Sequence, residues 1–465
     1  MVWNFKQDSL AAIDDNDISL TYKQLGQECD TFKSKMAPRS LVFTFCSNTI
    51  ADFIGYVAFL QNGCVQALLN SLEEHEELIS KYNPNYLWVP MDMAQKFNNY
   101  KMVYEKYNYI LLENLSMKHK LYEELALLLT TSGSTGSPKF VRQSYKNIRS
   151  NAKSIAKYLN ITSDERPITT LPINYTYGLS IINSHLLCGS TILITNKTIV
   201  QKEFWNFFNK YGATSFGGVP YTYEILKRLK FFDMSLPTLK TLTQAGGKLL
   251  PSLHAEFAEY CQSTNRDFII MYGQCEATAR MAYLPPEQNL SKIGSMGIAI
   301  PGGKLVLVDV NNQPISTPFT TGELIYYGDN VTLGYAQSYA DLSKMDERGG
   351  MLETGDMAEF DEDRYFYIVG RKKRFLKIYG NRVNLDEAER ILKNKFPDTE
   401  CALSGKDDEL VIFITDKQKG AQLRKYLSEK TGLNHRAFVV KYIESIPKSD
   451  AGKILYSKLV DINVD

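Results

Sequence analysis

The chain lacks a dominant charge of either sign. Lysine and arginine number 53 and aspartate and glutamate 52, a net charge of +1 over 465 residues. Composition therefore gives no electrostatic reason to expect nucleic acid or an anionic membrane as a partner. It also lacks paired cysteines. The seven present, at 29, 46, 64, 188, 261, 275 and 401, are scattered and include no Cys-x-x-Cys. An odd, dispersed set reads as reduced thiols in a cytoplasmic protein. The opening Met1–Asp8 has no cationic stretch followed by an apolar one, so no signal peptide is expected. Long hydrophobic runs are missing too. The most apolar segment, Phe53–Leu69, is interrupted by Gln61, Asn62 and Gln66 and cannot cross a bilayer. No repeat and no low-complexity tract stands out. What remains is 44% hydrophobic and 23% charged residues, ordinary for a globular protein. The length allows roughly two to four domains, with cores that need no disulfide support.

Apolar strand-like runs alternate with helix-like periods, which argues for an α/β protein. Strands are expected at Leu41–Phe45, Leu125–Thr130, Thr191–Thr195, Phe268–Tyr272 and Lys304–Asp309. A helix with apolar residues at Ile148, Ile155 and Leu159 should follow Ser144 as its N-cap. From Gly322 the strands become short and turn-rich: Glu323–Tyr327, Met357–Phe360 and Tyr365–Val369. A basic run, Arg371–Arg374, then precedes a compact tail. The tail reads as helix Leu385–Lys395, strand Leu410–Thr415, helix Gln422–Thr431 and strand Phe438–Ile443. That is a small α+β domain of about 90 residues. The basic run has no interleaved aromatics, so it reads as a connector rather than a nucleic-acid patch.

One segment carries a chemical signal. Thr130-Thr131-Ser132-Gly133-Ser134-Thr135-Gly136-Ser137-Pro138-Lys139 lies between two strand-like runs, the second being Phe140–Gln143. Two glycines let the backbone turn and present N–H groups, the hydroxyls add neutral donors, and Lys139 adds a cation. Such a concavity suits a triphosphate. It is not a Walker loop, because Gly-Lys-Ser/Thr is missing and no helix follows at once. Taken alone, the segment reads equally well as a Ser/Gly-rich surface linker.

Further motifs change that balance. Leu20-Thr21-Tyr22 with Leu25, the Thr130–Lys139 loop, Leu171–Leu179, Gly217–Pro220, Gln244–Lys248, Tyr272-Gly273-Gln274-Cys275-Glu276-Ala277, Gly322-Glu323-Leu324, Gly334-Tyr335, Thr354-Gly355-Asp356, Gly370-Arg371 and Pro447–Ile454 follow in order. This series resembles the adenylate-forming superfamily: acyl-CoA synthetases, carrier-protein adenylation domains and beetle luciferases. The resemblance implies a large multi-layer N-terminal domain of β-sheets and helices, residues 1–372, and a small mobile α+β C-terminal lid domain, residues 373–465. It implies ATP and Mg2+ as cofactors. It also implies a small carboxylic acid as substrate, and coenzyme A, or the phosphopantetheine of an acyl carrier protein, as thiol acceptor.

The same resemblance distributes roles. Thr131, Ser132, Gly133, Ser134, Thr135, Gly136 and Lys139 would hold the phosphates. Gly246, Gly247, Tyr272 and Gly273 would hold the adenine, and Asp356 and Arg371 the ribose. Glu276 would bind the metal, since a carboxylate is a hard oxygen donor. Lys453 would bridge the incoming carboxylate and the α-phosphate. Lys373 stands at the hinge, and Gly380 lines the thiol tunnel. Tyr175, Tyr177, Gly178, Lys248 and Gln274 would line the acyl pocket.

There are departures from the family pattern. Cys275 stands where the family usually has threonine, and a thiol is a weaker hydrogen-bond donor; space-filling is an equal reading of it. Asn174 and Tyr175 stand where amino-acid-activating domains place an aspartate. An uncharged pocket would strand an ammonium group, so an aliphatic, aromatic or hydroxylated acid is expected. Tyr456 occupies a position where the family often has arginine. A thioester-forming ligase is the leading expectation. A luciferase-type monooxygenase and an inactive nucleotide-binding regulatory relative are the competing ones.

Overall fold

The computed structural model describes residues 3, 5, 7–70, 76–114, 118–130, 139–379, 381–448 and 454–460. Contacts divide these into two compact units. One takes in residues up to 130, 139–304 and 326–352; the other takes in residues 305–325 and 353 onward. The expected strands Leu41–Phe45 and Leu125–Thr130 form with those bounds, and Phe268–Tyr272 extends by one residue to Asp267–Tyr272.

An eight-stranded sheet dominates the first unit. Its spatial order is Gly334–Ala336, Phe140–Ser144, Leu125–Thr130, Val65–Leu69, Leu41–Phe45, Tyr86–Pro90, Tyr109–Glu113, Lys101–Lys106. Its central strands are parallel and covered on both faces, which is why they read as continuous apolar runs. Leu41, Phe43 and Phe45 enter one core while Val42 enters the other, the period of two expected of a strand. The interrupted segment Phe53–Leu69 resolves into the buried helix Ile50–Gln61, a turn with Gly63 at φ +75°, and the strand Val65–Leu69. Gln66 is buried there, and its amide donates to the Tyr56 carbonyl at 2.8 Å. Ser144 caps the helix Tyr145–Tyr158 as expected, in a reciprocal capping box with Asn147.

A second sheet of the same unit runs Ser215–Gly218, Thr241–Gln244, Asp267–Tyr272, Ala282–Tyr283, Ile298–Ala299. Its first three strands are parallel and are linked through the helices Pro220–Arg228 and Pro251–Ser263.

The other unit holds the paired strands Met351–Phe360 and Phe366–Arg371 for most of their length. Beyond them the helix Leu385–Lys395 forms at its expected bounds, and Gly420–Thr431 begins two residues before its expected start. Two features are additional to the sequence reading. One is the hairpin Phe375–Ile378 with Asn381–Asn384. The other is the strand Cys401–Lys406, which joins Glu409–Ile414 and Phe438–Tyr442 in a three-stranded sheet. No disulfide joins the seven cysteines. Among the described residues no helix is long and apolar enough to cross a membrane.

Candidate active site

Three of the sequence motifs emerge at one sheet edge. In the second sheet Gly218 lies opposite Gln244, and Gln244 opposite Ile270. The segments leaving these strands are Val219–Pro220, Ala245–Lys248 and Gly273–Glu276. They therefore share the carboxyl edge, where open parallel sheets bind ligands.

Local packing fixes these segments. Gly246 has φ +85°, and a Cβ there would lie 2.7 Å from the Tyr175 hydroxyl and 3.0 Å from Val219 Cγ1. The buried Gln244 amide donates to the carbonyls of Ala245 at 3.1 Å and Gly247 at 2.9 Å, bracing the turn. At Gly273 a Cβ would fall 1.5 Å from the Ala279 carbonyl oxygen, so glycine is required for the 273–279 loop to close. That loop carries Cys275 and Glu276 on a short helical turn, and the Gln274 amide donates to the Tyr272 hydroxyl at 3.2 Å. The Cys275 thiol lies close enough to Tyr175 to add to the upward push that burial gives its phenol.

Glu276 is held from two sides. Its Oε1 accepts a hydrogen bond from the Tyr335 hydroxyl at 2.6 Å. Its carbonyl accepts from the Thr332 N–H at 3.0 Å and from Arg348 Nη1 at 3.1 Å. Tyr335 sits on the short strand that pairs with Phe140–Ser144, opposite Val141. Its ring lies 3.9 Å from Lys139 Nζ and 4.8 Å from the Arg348 guanidinium carbon. One tyrosine thus touches both the candidate phosphate lysine and the candidate metal ligand. Burial, then the Glu276 carboxylate, pushes its phenol pKa upward. The fully buried Arg142 holds this strand in place, donating to the carbonyls of Leu333 and Tyr335 and pairing with Glu347 at 2.5 Å.

Among the described residues no group of three or more His, Cys, Asp or Glu side chains could hold a metal by itself. A single carboxylate beside a lysine does not fit a zinc site. It does fit Mg2+, which keeps waters and substrate phosphates and needs only one or two protein carboxylates.

Of the residues expected at the acyl pocket, Tyr177 belongs to a buried apolar cluster with Leu171, Ile181, Val219, Ala245, Ile269 and Met271, and Tyr158 and Tyr175 pack against it. The Tyr177 hydroxyl meets Thr243 Oγ1 at 2.8 Å. Gly178 faces its own preceding loop, since a Cβ there would meet the Pro172 carbonyl at 2.5 Å. Lys248 is exposed. Sequence reasoning missed Arg280, a buried arginine at the edge of this cluster.

In the other unit Asp356 is buried and lies opposite Arg371 across two paired strands, with Arg371 Nε 2.5 Å from Asp356 Oδ1. The basic run is mostly neutralised: Lys372 pairs with Glu323 at 2.6 Å, and Arg374 pairs with Asp386 and with Glu389 at 2.7 Å. Tyr456 gains a structural explanation. Its hydroxyl donates to Glu389 at 2.9 Å, and Arg374 stacks 3.6 Å from its ring centroid. Thr131, Ser132, Gly133, Ser134, Thr135, Gly136, Gly380 and Lys453 lie outside the described residues, as does the side chain of Lys373.

The family model described as AMP-binding enzyme matches residues 3–336. A peroxisomal OPC-8:0-CoA ligase of Arabidopsis thaliana is 29% identical over 364 residues, 73% of this chain but 64% of that relative. A 2-succinylbenzoate–CoA ligase of Oceanobacillus iheyensis is 24% identical over 469 residues, 95% of this chain and 94% of the relative. Among solved structures, the O-succinylbenzoate coenzyme A synthetase of Bacillus subtilis in complex with ATP and magnesium superposes with a TM-score of 0.78. That match has 20% identity and covers 98% of this chain and 97% of that one. At that identity the likeness establishes the fold.

Proposed function

Because the chain belongs to the AMP-binding enzyme family, we propose that it is an ATP-dependent acid–thiol ligase. It joins a carboxylic acid to AMP, releases pyrophosphate, and passes the acyl group to coenzyme A. The observation that carries this reading is Tyr335, which joins Lys139 and Glu276 into one anion- and cation-handling set. A carboxylate is a poor acyl donor because oxide is a poor leaving group. Conversion to a mixed anhydride with AMP supplies a good one, and the barrier is the meeting of two anions. Positioning and charge neutralisation therefore do most of the work.

Lys139 steadies the triphosphate and Glu276 presents its carboxylate to Mg2+. When bound, that metal neutralises phosphate charge. Asp356, oriented by Arg371, accepts hydrogen bonds from the ribose hydroxyls. Lys453 bridges the acid and the α-phosphate during adenylation. The lid, residues 373–465, then turns about Lys373 and brings Gly380 to the pantetheine arm. No described carboxylate stands at the acyl pocket to pair an α-ammonium, and the Arg280 charge opposes one, so the acid is not an α-amino acid.

The test is a carboxylate panel read by pyrophosphate release without thiol, with coenzyme A, and with a loaded carrier protein. Acid-dependent release is expected without thiol, with thioester formed on coenzyme A. Thioester formed only on the carrier protein would transfer the second half-reaction to that partner. No release with any acid would sink the ligase reading in favour of a nucleotide-binding regulatory relative.

A further inference from the structure

A buried cation stands beside the apolar cluster that holds Tyr177, with no carboxylate partner among the described residues. Arg280 is 2% exposed. Its Nε donates to Ser180 Oγ at 3.0 Å, and its Nη1 to the Tyr158 hydroxyl and to Met271 Sδ at 3.1 Å each. Its guanidinium carbon lies 5.1 Å from the Tyr177 ring centroid. Among the described residues none of its partners is an aspartate or glutamate.

The ionisable groups around it supply no negative charge. Burial pushes the phenols of Tyr158 and Tyr177 up. Burial also pushes the His185 imidazole down to about 4, and the Arg280 charge adds to that effect. A guanidinium is a cation with five N–H donors, and burying one against neutral groups alone is costly. The cost is compounded because the Tyr158 hydroxyl also donates to Met271 Sδ, at 3.1 Å. Two good donors are thus spent on one thioether, a weak acceptor.

The position is informative as well. Tyr177 and Met271 belong to the apolar cluster, with Tyr158 packed against it. The same cluster reaches the Gly246 turn through Tyr175. The cluster therefore meets the strand-edge loops through Tyr175 and meets Arg280 through Tyr177 and Met271, and a guanidinium is a fork of N–H groups whose geometry matches a carboxylate.

We propose that Arg280 binds a second carboxylate of the acid substrate, so that the enzyme activates dicarboxylic acids at the carboxylate remote from Arg280. The assignment rests on the ligase reading above and narrows it. A monocarboxylic acid of the same skeleton leaves the guanidinium uncompensated.

The experiment compares matched mono- and dicarboxylic acids, aliphatic and aromatic, by pyrophosphate release with the full chain, ATP and Mg2+. In at least one matched pair the diacid should exceed the monoacid by about 100-fold in kcat/KM. Arg280→Met should reduce that ratio to near one, and Arg280→Lys should keep part of it. The wild-type panel needs no variant to fold. The Tm of wild-type protein gives a second reading, since the preferred diacid should raise it more than its monoacid does. Equal turnover and equal Tm shift within every pair would overturn the assignment and leave the ligase reading intact. An unchanged ratio in a natively folded Arg280→Met would do the same. No release with any acid would overturn both.

Discussion

Tyr335 reaches two candidate functional side chains at once, and the two contacts can be separated. Tyr335→Phe removes the hydroxyl that donates to Glu276 but leaves the ring under Lys139. Hydrogen bonds to charged groups contribute about 1.5–3 kcal/mol. ATP–pyrophosphate exchange should therefore fall at least about tenfold, and the Mg2+ concentration for half-maximal rate should rise. Tyr335→Leu should lose more, because the cation–π contact goes too. An unchanged Mg2+ requirement in Tyr335→Phe would refute the positioning role. The sequence marked Glu276 and Lys139 through their motifs but gave Tyr335 no role and missed Arg280 entirely. Tyr335 meets Glu276 across a separation of 59 residues, and Arg280 meets Ser180 across 100. No local pattern encodes such pairings. Cys275 was legible as a departure, and its charge is among the influences that raise the Tyr175 phenol, after burial.

At the scale of elements, the strands and helices that the sequence revealed are those whose burial imposes a period. Leu125–Thr130 is buried on both faces, and Leu385–Lys395 carries one apolar stripe. Cys401–Lys406 was missed because its second half is Ser-Gly-Lys and its partner follows after only Asp407 and Asp408. Asp408 is left-handed at φ +65°, a hairpin signal carried by aspartate in place of glycine. Two predictions belong here. Gly273→Ala puts a methyl group into the Ala279 carbonyl and should cost about 3 kcal/mol or more, read as a lowered urea midpoint. Asp52, at the start of the helix Ile50–Gln61, accepts hydrogen bonds from Ser47 N–H at 2.9 Å and Thr49 N–H at 2.7 Å. Burial nonetheless raises its pKa from 3.8 to about 6. A carboxyl raised on folding favours the folded state below its unfolded pKa and loses that contribution as pH rises through the folded one. Between pH 3.8 and 6, Asp52 should therefore subtract at most about 3 kcal/mol from stability. In Asp52→Asn the unfolding free energy measured across that interval should lack this component. An identical pH slope in both proteins would remove Asp52 as its source.

At the scale of the whole molecule, the proposed reaction has two halves, with a proposed part for Lys453 in the first and for Lys373 in the step between them. If Lys453 neutralises charge as acid and α-phosphate meet, Lys453→Ala should lower acid-dependent ATP–pyrophosphate exchange by about 10²–10³. Nucleotide binding should persist, because Asp356, Arg371, Lys139 and Glu276 are untouched. The second half should tolerate this variant, so thioester formation from a supplied acyl-adenylate should proceed near the wild-type rate. Lys373→Pro should show the opposite pattern. Proline fixes φ near −65° and removes a backbone donor, so it hinders a turn about that residue while leaving the first placement formed. Adenylation should then run normally while thioester formation from acyl-adenylate and coenzyme A slows, a conformational step made rate-limiting. The two variants thus form a crossed pair, each impaired in the half that the other retains. Quenched-flow measurement of pyrophosphate and thioester in the same reactions would read both halves. Parallel loss of both halves in Lys373→Pro would refute the hinge. Undiminished exchange in Lys453→Ala would remove that lysine from the adenylation step, even if the ligase activity itself were found.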